Sequence, residues 1–133
     1  MSGFKKRTES SLVTALGNYL QVLENMGKIA FWSRQQAGKV CIPGKNKLYK
    51  MRLGREGISD LWVMPVRWNQ FTTREPQWES TVPMIWIEAK LDGEKQSPDQ
   101  VEFEKLANKC GHYYWVIHDC DELEKKLKEI GVL

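Results

Sequence analysis

Cysteine is scarce in this sequence: Cys41, Cys110 and Cys120 are odd in number, widely spaced and form no CxxC pair. That pattern supports neither a disulfide framework nor a cysteine-ligated zinc site, and a reducing, cytoplasmic setting is the expectation. No apolar run approaches the roughly 20 residues that a bilayer-spanning helix needs, so no membrane association is expected. The opening residues, MSGFKKRTESS, are basic but have no apolar stretch behind them, unlike a secretory signal. There is no internal repeat and no low-complexity tract. One further absence is local: no Asp or Glu stands anywhere between residues 28 and 55.

That acid-free stretch holds Lys28, Arg34, Lys39, Lys45, Lys47, Lys50, Arg52 and Arg55. The remaining twelve of the 20 basic residues share the rest of the chain with all 17 acidic ones. A net charge of only +3 therefore conceals one strongly positive segment. Such a segment attracts polyanions, nucleic acid foremost, unless it is simply a solvated basic hairpin. The length of 133 residues suits one domain. Hydrophobic residues at 41% and charged residues at 28% suit a folded globular chain rather than a disordered one.

Periodicity orders the chain. Leu12, Leu16, Leu20 and Leu23 recur every four or three residues and predict a helix over about Thr8–Met26, with Thr8 as N-cap and Gly27 just past the end. A strand is expected at Lys28–Arg34. Residues Ala37–Asn46 contain two glycines and a proline and read as loop, followed by a hairpin strand at Lys47–Leu53. Further strands are expected at Asp60–Val66 and at Pro83–Lys90, the latter a near-continuous apolar run ending in charge, as in a central strand. The polar stretch Arg67–Val82 between them is long for a connection in a compact domain. Ser97, Pro98 and Gln100 form a helix-opening signature, with Phe103, Leu106, Ala107 and Cys110 expected inward and Gly111 at the end. Tyr113–His118 reads as a strand. A last helix, capped by Asp119 or Asp121, turns Leu123, Leu127 and Ile130 inward. The order describes an α/β sandwich with a mixed central sheet.

Chemistry concentrates at a few positions. Glu88 and Lys90 are two apart on a strand and share a face, with Trp86. A carboxylate can hold Mg²⁺, and an ammonium beside it can orient or help deprotonate a water. Asp60 starts another strand after the GIS turn. If the two strands are neighbours, Asp60 and Glu88 could share one hard cation, which would polarise a phosphate and acidify a bound water. Glu9 lies along the centre of the leucine stripe of the first helix, although a first-turn Glu also complements the helix dipole. A lone ExK is common on surface strands, a lone Asp after a glycine turn is common in turns, and Gln100 already has a role as capping partner. Their order along the chain is what gives them weight. His112 and His118 match no catalytic role. Trp32, Trp62, Trp86 and Trp115 are expected in the core. Trp68 and Trp78 are candidates for stacking on bases.

From about Thr8 to Asp121 the chain resembles the VRR-Nuc (virus-type replication-repair nuclease) branch of the PD-(D/E)xK superfamily. The matching segments are TESSLVTALGNYL, GREGISDL, WIEAK and GEKQSPDQVEFEKLANKCGHYYWVIHD. The resemblance implies a single nuclease domain over residues 1–133 with a restriction-endonuclease-like αβββαβ core. It implies hydrolysis of DNA phosphodiesters with Mg²⁺, or Mn²⁺ as substitute, leaving a 5′-phosphate. Glu9, Asp60 and Glu88 would be the acidic site residues, Lys90 the motif lysine beside the attacking water, and Gln100 the helix glutamine near the site. Asp60, Glu88 and the backbone carbonyl of Ala89 would hold the metal, with Glu9 acting directly or indirectly. Branched DNA, such as a Holliday junction or a flap, and a homodimer are further expectations from the same likeness, as is a place in DNA repair or in a phage. The long 67–82 connection departs from the family pattern. There are two rival roles: a DNA-binding module without cleavage, which keeps the basic patch and uses the acidic residues structurally, and a protein-interaction subunit of a phage or repair complex with Trp68, Phe71 and Trp78 as its contact surface.

Overall fold

The computed structural model describes residues 8–35, 38–53, 57–66 and 83–133, the side chains of 38–42 and 49–53 excepted. The elements run α1 (Glu9–Asn25), β1 (Ile29–Arg34), β2 (Gly38–Pro43), β3 (Leu48–Leu53), β4 (Leu61–Pro65), β5 (Ile85–Ala89), α2 (Pro98–Lys109), β6 (Tyr113–Ile117) and α3 (Cys120–Glu129). Four strands make one sheet in the order β1-β4-β5-β6, and β2 and β3 pair only with each other. The β1–β4 and β4–β5 pairs are antiparallel and β5–β6 is parallel. Without the β2–β3 hairpin the chain reads αβββαβ, followed by α3. This is the mixed-sheet, restriction-endonuclease-like core expected from the sequence.

Side-chain alternation divides the sheet into two faces. Leu61, Val63, Ile85, Ile87, Ala89 and Ile117 are buried in one core with Leu12, Leu16, Leu20 and Leu23 of α1 and Leu123 and Leu127 of α3. Trp86, Glu88 and Tyr114 point the other way, toward α2. There the Phe103 ring meets Trp86 edge-on at 5.2 Å and Tyr114 at 5.8 Å. Between α1 and its sheet, Gly17 lets the Trp32 ring lie against the helix, since a Cβ there would come within 3.0 Å of it.

The helix boundaries follow from local chemistry. Thr8 and Ser11 cap α1 reciprocally, as Ser97 and Gln100 cap α2, and Asp119 caps α3. All three helices end alike. Gly27, Gly111 and Gly131 take positive φ, and the next amide returns to the helix: Lys28 to Leu23, His112 to Ala107, Val132 to Leu127. This Schellman geometry needs a left-handed residue, which glycine adopts without steric cost.

Three expectations need correction. Gly38–Pro43 is a strand rather than loop, pairing with β3 from Gly38↔Leu53 to Pro43↔Leu48. Its glycine and proline stand at the two ends, where they leave the pairing of Lys39 to Ile42 intact; weighing them as breakers hid the short apolar run between them. The hairpin closes through Gly44, whose amide donates to the Lys47 carbonyl. On α2, Leu106 is 50% exposed and Cys110 is also exposed. Ala107 is the buried residue of that helix and Phe103 its main contact, because α2 rests on the β5–β6 half of the sheet through a narrow stripe. The strand tryptophans are half-buried rather than central: Trp32 donates to Gln21 and Trp62 packs on Phe31. Among the described residues no helix is long and apolar enough to cross a membrane. The stretch 67–82, with Trp68, Phe71 and Trp78, lies outside the described residues.

The hairpin's position allows a test. Gly38 and Leu53 face one another at its base. Replacing residues 39–52 by an Asn-Gly turn, which suits a two-residue hairpin, is expected to leave the helical circular dichroism and a single cooperative thermal transition in place. Loss of cooperative unfolding would show the hairpin to be integral to the core.

Candidate metal centre

The carboxyl end of β5, the start of β4 and the first turns of α1 and α2 meet at one place. Strand β5 ends in Glu88 and Ala89, and Lys90 follows directly. Its neighbour β4 is entered through Gly57–Asp60, a loop pressed against the opening of α2. Gly57 has φ +85°, and a Cβ there would lie 2.5 Å from the Asp99 carbonyl oxygen, so only glycine fits. Ser59 is buried and donates to the Leu61 carbonyl. Asp60 then turns inward, and its Oδ2 accepts the Ala89 amide at 2.8 Å. The strand ladder is thus extended by a side chain, and Asp60 is tied to the residue next to Glu88.

Glu9, Asp60 and Glu88 each offer a carboxylate oxygen, and these atoms all lie within 4.8 Å of one another. Lys90 joins them, its Nζ 3.9 Å from Glu9 Oε1 and 4.0 Å from Glu88 Oε1. Gln100 does two jobs. Its Oε1 accepts the Ser97 amide in the capping box while its Nε2 donates to Glu88 Oε1 at 2.7 Å. Tyr114, which sequence reasoning did not single out, brings its hydroxyl to 3.4 Å from Glu88 Oε2. Nothing in the string GHYYW marks one tyrosine over the other. Only the parallel register of β5 and β6, with Trp86 opposite Tyr114, brings it here.

The charge state follows from burial. Glu88 is 2% exposed. Desolvation first, then the Asp60 charge and hydrogen bond, push its carboxyl up to about 8, and Lys90 only partly offsets this. Glu9, less deeply placed, is raised mainly by desolvation and by a hydrogen bond with Glu94, against the pull of Lys90. Burial, with the Glu88 charge second, also raises the Tyr114 hydroxyl well above its ordinary range.

These residues fit a hard divalent cation. All donors are oxygens, as Mg²⁺ and Mn²⁺ prefer. Fully ionised, the three carboxylates exceed the one ammonium by two charges, the charge of one such ion. Their ligand oxygens, all within 4.8 Å of one another, are close enough for one ion to be shared among them. Ala89 is fully buried between Glu88 and Lys90 and meets Asp60 through its amide.

The other candidate residues fall elsewhere. Lys28, just before β1, and Arg34, its last residue, are both exposed, and Lys45 and Lys47 stand on the hairpin turn. Lys39 and Arg52 face each other along the hairpin backbone, and Lys50 faces Cys41. Arg55 lies outside the described residues. The hairpin leaves the sheet beside the acidic cluster, where the Gln35 amide donates to the Asp60 carbonyl at 2.8 Å. The histidines take other partners: His112 Nδ1 accepts the Met84 amide, and His118 pairs with Glu122. A scan of protein-family models, a search of curated proteins and a search of solved structures each find no match.

A pH dependence follows. In the metal-free fold Glu88 keeps its proton up to about pH 8, whereas in the unfolded chain it ionises near 4.5. Folding takes up a proton in that interval, so this carboxyl's contribution to stability is fully present below about pH 4.5, is lost as pH rises toward 8, and is constant above. In chelator, the melting-temperature advantage of Glu88→Gln over the wild type is expected to widen from about pH 5 to 8. A constant difference across that range would contradict the assignment.

Proposed function

We propose that this chain is a metal-dependent DNA endonuclease that hydrolyses phosphodiester bonds at the Glu9–Asp60–Glu88–Lys90 centre. The observation that carries the reading is the burial of Glu88, at 2% exposure, among two further carboxylates and a lysine at the end of a central strand. A carboxylate raised to about 8 by its surroundings is a poor structural element but a good cation ligand. The resemblance of the sequence to VRR-Nuc nucleases supports the same reading.

In this mechanism Asp60 and Glu88 would hold Mg²⁺ or Mn²⁺, with the Ala89 carbonyl as an added ligand and Glu9 acting directly or through water. When bound, such an ion would supply Lewis acidity toward the scissile phosphate and toward the attacking water. Lys90, held beside Glu9 and Glu88, orients the attacking water and offsets charge as it develops on the phosphate. Gln100 fixes one oxygen of Glu88. Attack of water on phosphorus, in line with the departing 3′-oxygen, breaks the P–O3′ bond and yields a 5′-phosphate and a 3′-hydroxyl, as in the family resembled. The basic residues between 28 and 55 hold the phosphate backbone, and the hairpin carrying most of them is rooted next to Asp60. Branched substrates, a homodimer, a role in repair or in a phage, and a cytoplasmic location rest on the resemblance and on cysteine usage.

Supercoiled plasmid and a four-way junction, incubated with Mg²⁺, Mn²⁺ or EDTA, test the reading. Cation-dependent cutting is expected, and Asp60→Ala and Lys90→Ala are each expected to cut at no more than about 1% of the wild-type rate, with DNA binding retained. Cutting by either variant at the wild-type rate would refute the site assignment. Binding without any cation-dependent product would refute the nuclease reading and favour a DNA-binding module. DNA affinity should fall steeply as salt rises, since counterions are released from each phosphate contacted. The variant with residues 39–52 replaced should bind more weakly and show a shallower salt slope.

A further inference from the structure

We infer that Tyr114 is a positioning residue of the acidic centre: its hydroxyl, together with the Gln100 amide, sets the orientation in which Glu88 meets a divalent cation. The inference rests on the metal-dependent reading above and extends it to a residue outside the motif.

A glutamate side chain has three rotatable bonds, and one hydrogen bond leaves its carboxylate free to pivot. Glu88 has a donor on each oxygen from a different element: Gln100 Nε2 of α2 at 2.7 Å from Oε1, and the Tyr114 hydroxyl of β6 at 3.4 Å from Oε2. Two anchors on opposite oxygens define the carboxylate plane. Asp60, Glu9 and Lys90 stand around the same carboxylate, which keeps lone pairs beyond those two bonds.

The tyrosine is itself held firmly. It is 6% exposed, and its ring packs edge-on against Phe103, which also packs against Trp86 one residue pair from Glu88 on β5. The Gln96 amide approaches the same hydroxyl, but its buried nitrogen completes no hydrogen bond among the described residues. The hydroxyl itself donates to Glu88 Oε2. Groups that orient a ligand in this way commonly change metal affinity by ten- to a hundredfold when removed.

Tyr114→Phe keeps the ring and its packing and removes only the hydroxyl. Mn²⁺ affinity, read by electron paramagnetic resonance titration of the full chain, is expected to fall about tenfold or more, with the melting temperature in chelator near that of the wild type. Tyr113→Phe, on the opposite face of β6, is expected to bind as the wild type does. 3-Fluorotyrosine at position 114, which retains a donating hydroxyl, is expected to restore tight binding. Wild-type Mn²⁺ affinity in Tyr114→Phe, while Asp60→Asn loses binding, would overturn the role of Tyr114 and leave the metal centre standing. Loss of cooperative unfolding in Tyr114→Phe would also overturn it, because the hydroxyl would then be holding the fold. If the wild type binds no Mn²⁺ that Asp60→Asn removes, the metal reading fails and this inference with it.

Discussion

Glu88 sits at the end of a central strand with almost no contact with water, between two other carboxylates, and its ionisation is opposed by all of them. An isolated buried carboxylate is costly, and a cluster of three is costlier still. The surroundings meet that cost with Lys90 on one side and with donors from Gln100 and Tyr114 on the other. They leave a deficit that a proton or a cation can fill. The 57–60 loop, the opening of α2 and the register of β6 all converge on this carboxylate.

The topology explains how. Antiparallel pairing of β4 with β5 puts the first residue of one strand beside the last residues of the other, so Asp60 reaches the Ala89 amide. Parallel pairing of β5 with β6 requires a crossover, and α2 is that crossover, returning over the sheet with its first turn at the end of β5. Gln100 can therefore cap its own helix and touch Glu88 with the two ends of one amide. The β2–β3 hairpin is an insertion in this core and leaves it at Gln35, against Asp60. A concentrated positive segment is thereby attached next to the acidic centre while standing outside the main sheet.

Much of this was legible in the chain. The leucines of α1, Thr8 as its N-cap, the Ser97–Gln100 capping pair, Gly27 and Gly111 at helix ends, and the apolar run ending in Glu88 and Lys90 are local patterns, and each element formed where its pattern predicts. Order along the chain also selected Glu9, Asp60, Glu88, Lys90 and Gln100, and the fold brings all five together. Errors arose where local signals conflict with pairing. Gly38 and Pro43 read as breakers, yet β2 forms because a partner strand satisfies its backbone. Leu106 and Cys110 read as an inward face, yet α2 touches the sheet through a narrower stripe.

The sequence by itself determined the helices, most of the strands, the acidic and basic residues available for chemistry and the separation of positive charge from acid, because periodicity, capping and composition act over a few residues. Only the tertiary structure decided that Asp60 braces the Ala89 amide, that Gln100 and Tyr114 grip opposite oxygens of Glu88, and that Glu88 is buried deeply enough to hold its proton to about pH 8. Those facts depend on strand register and on how deeply a side chain is withdrawn from water. Both are set by contacts between residues far apart in the chain.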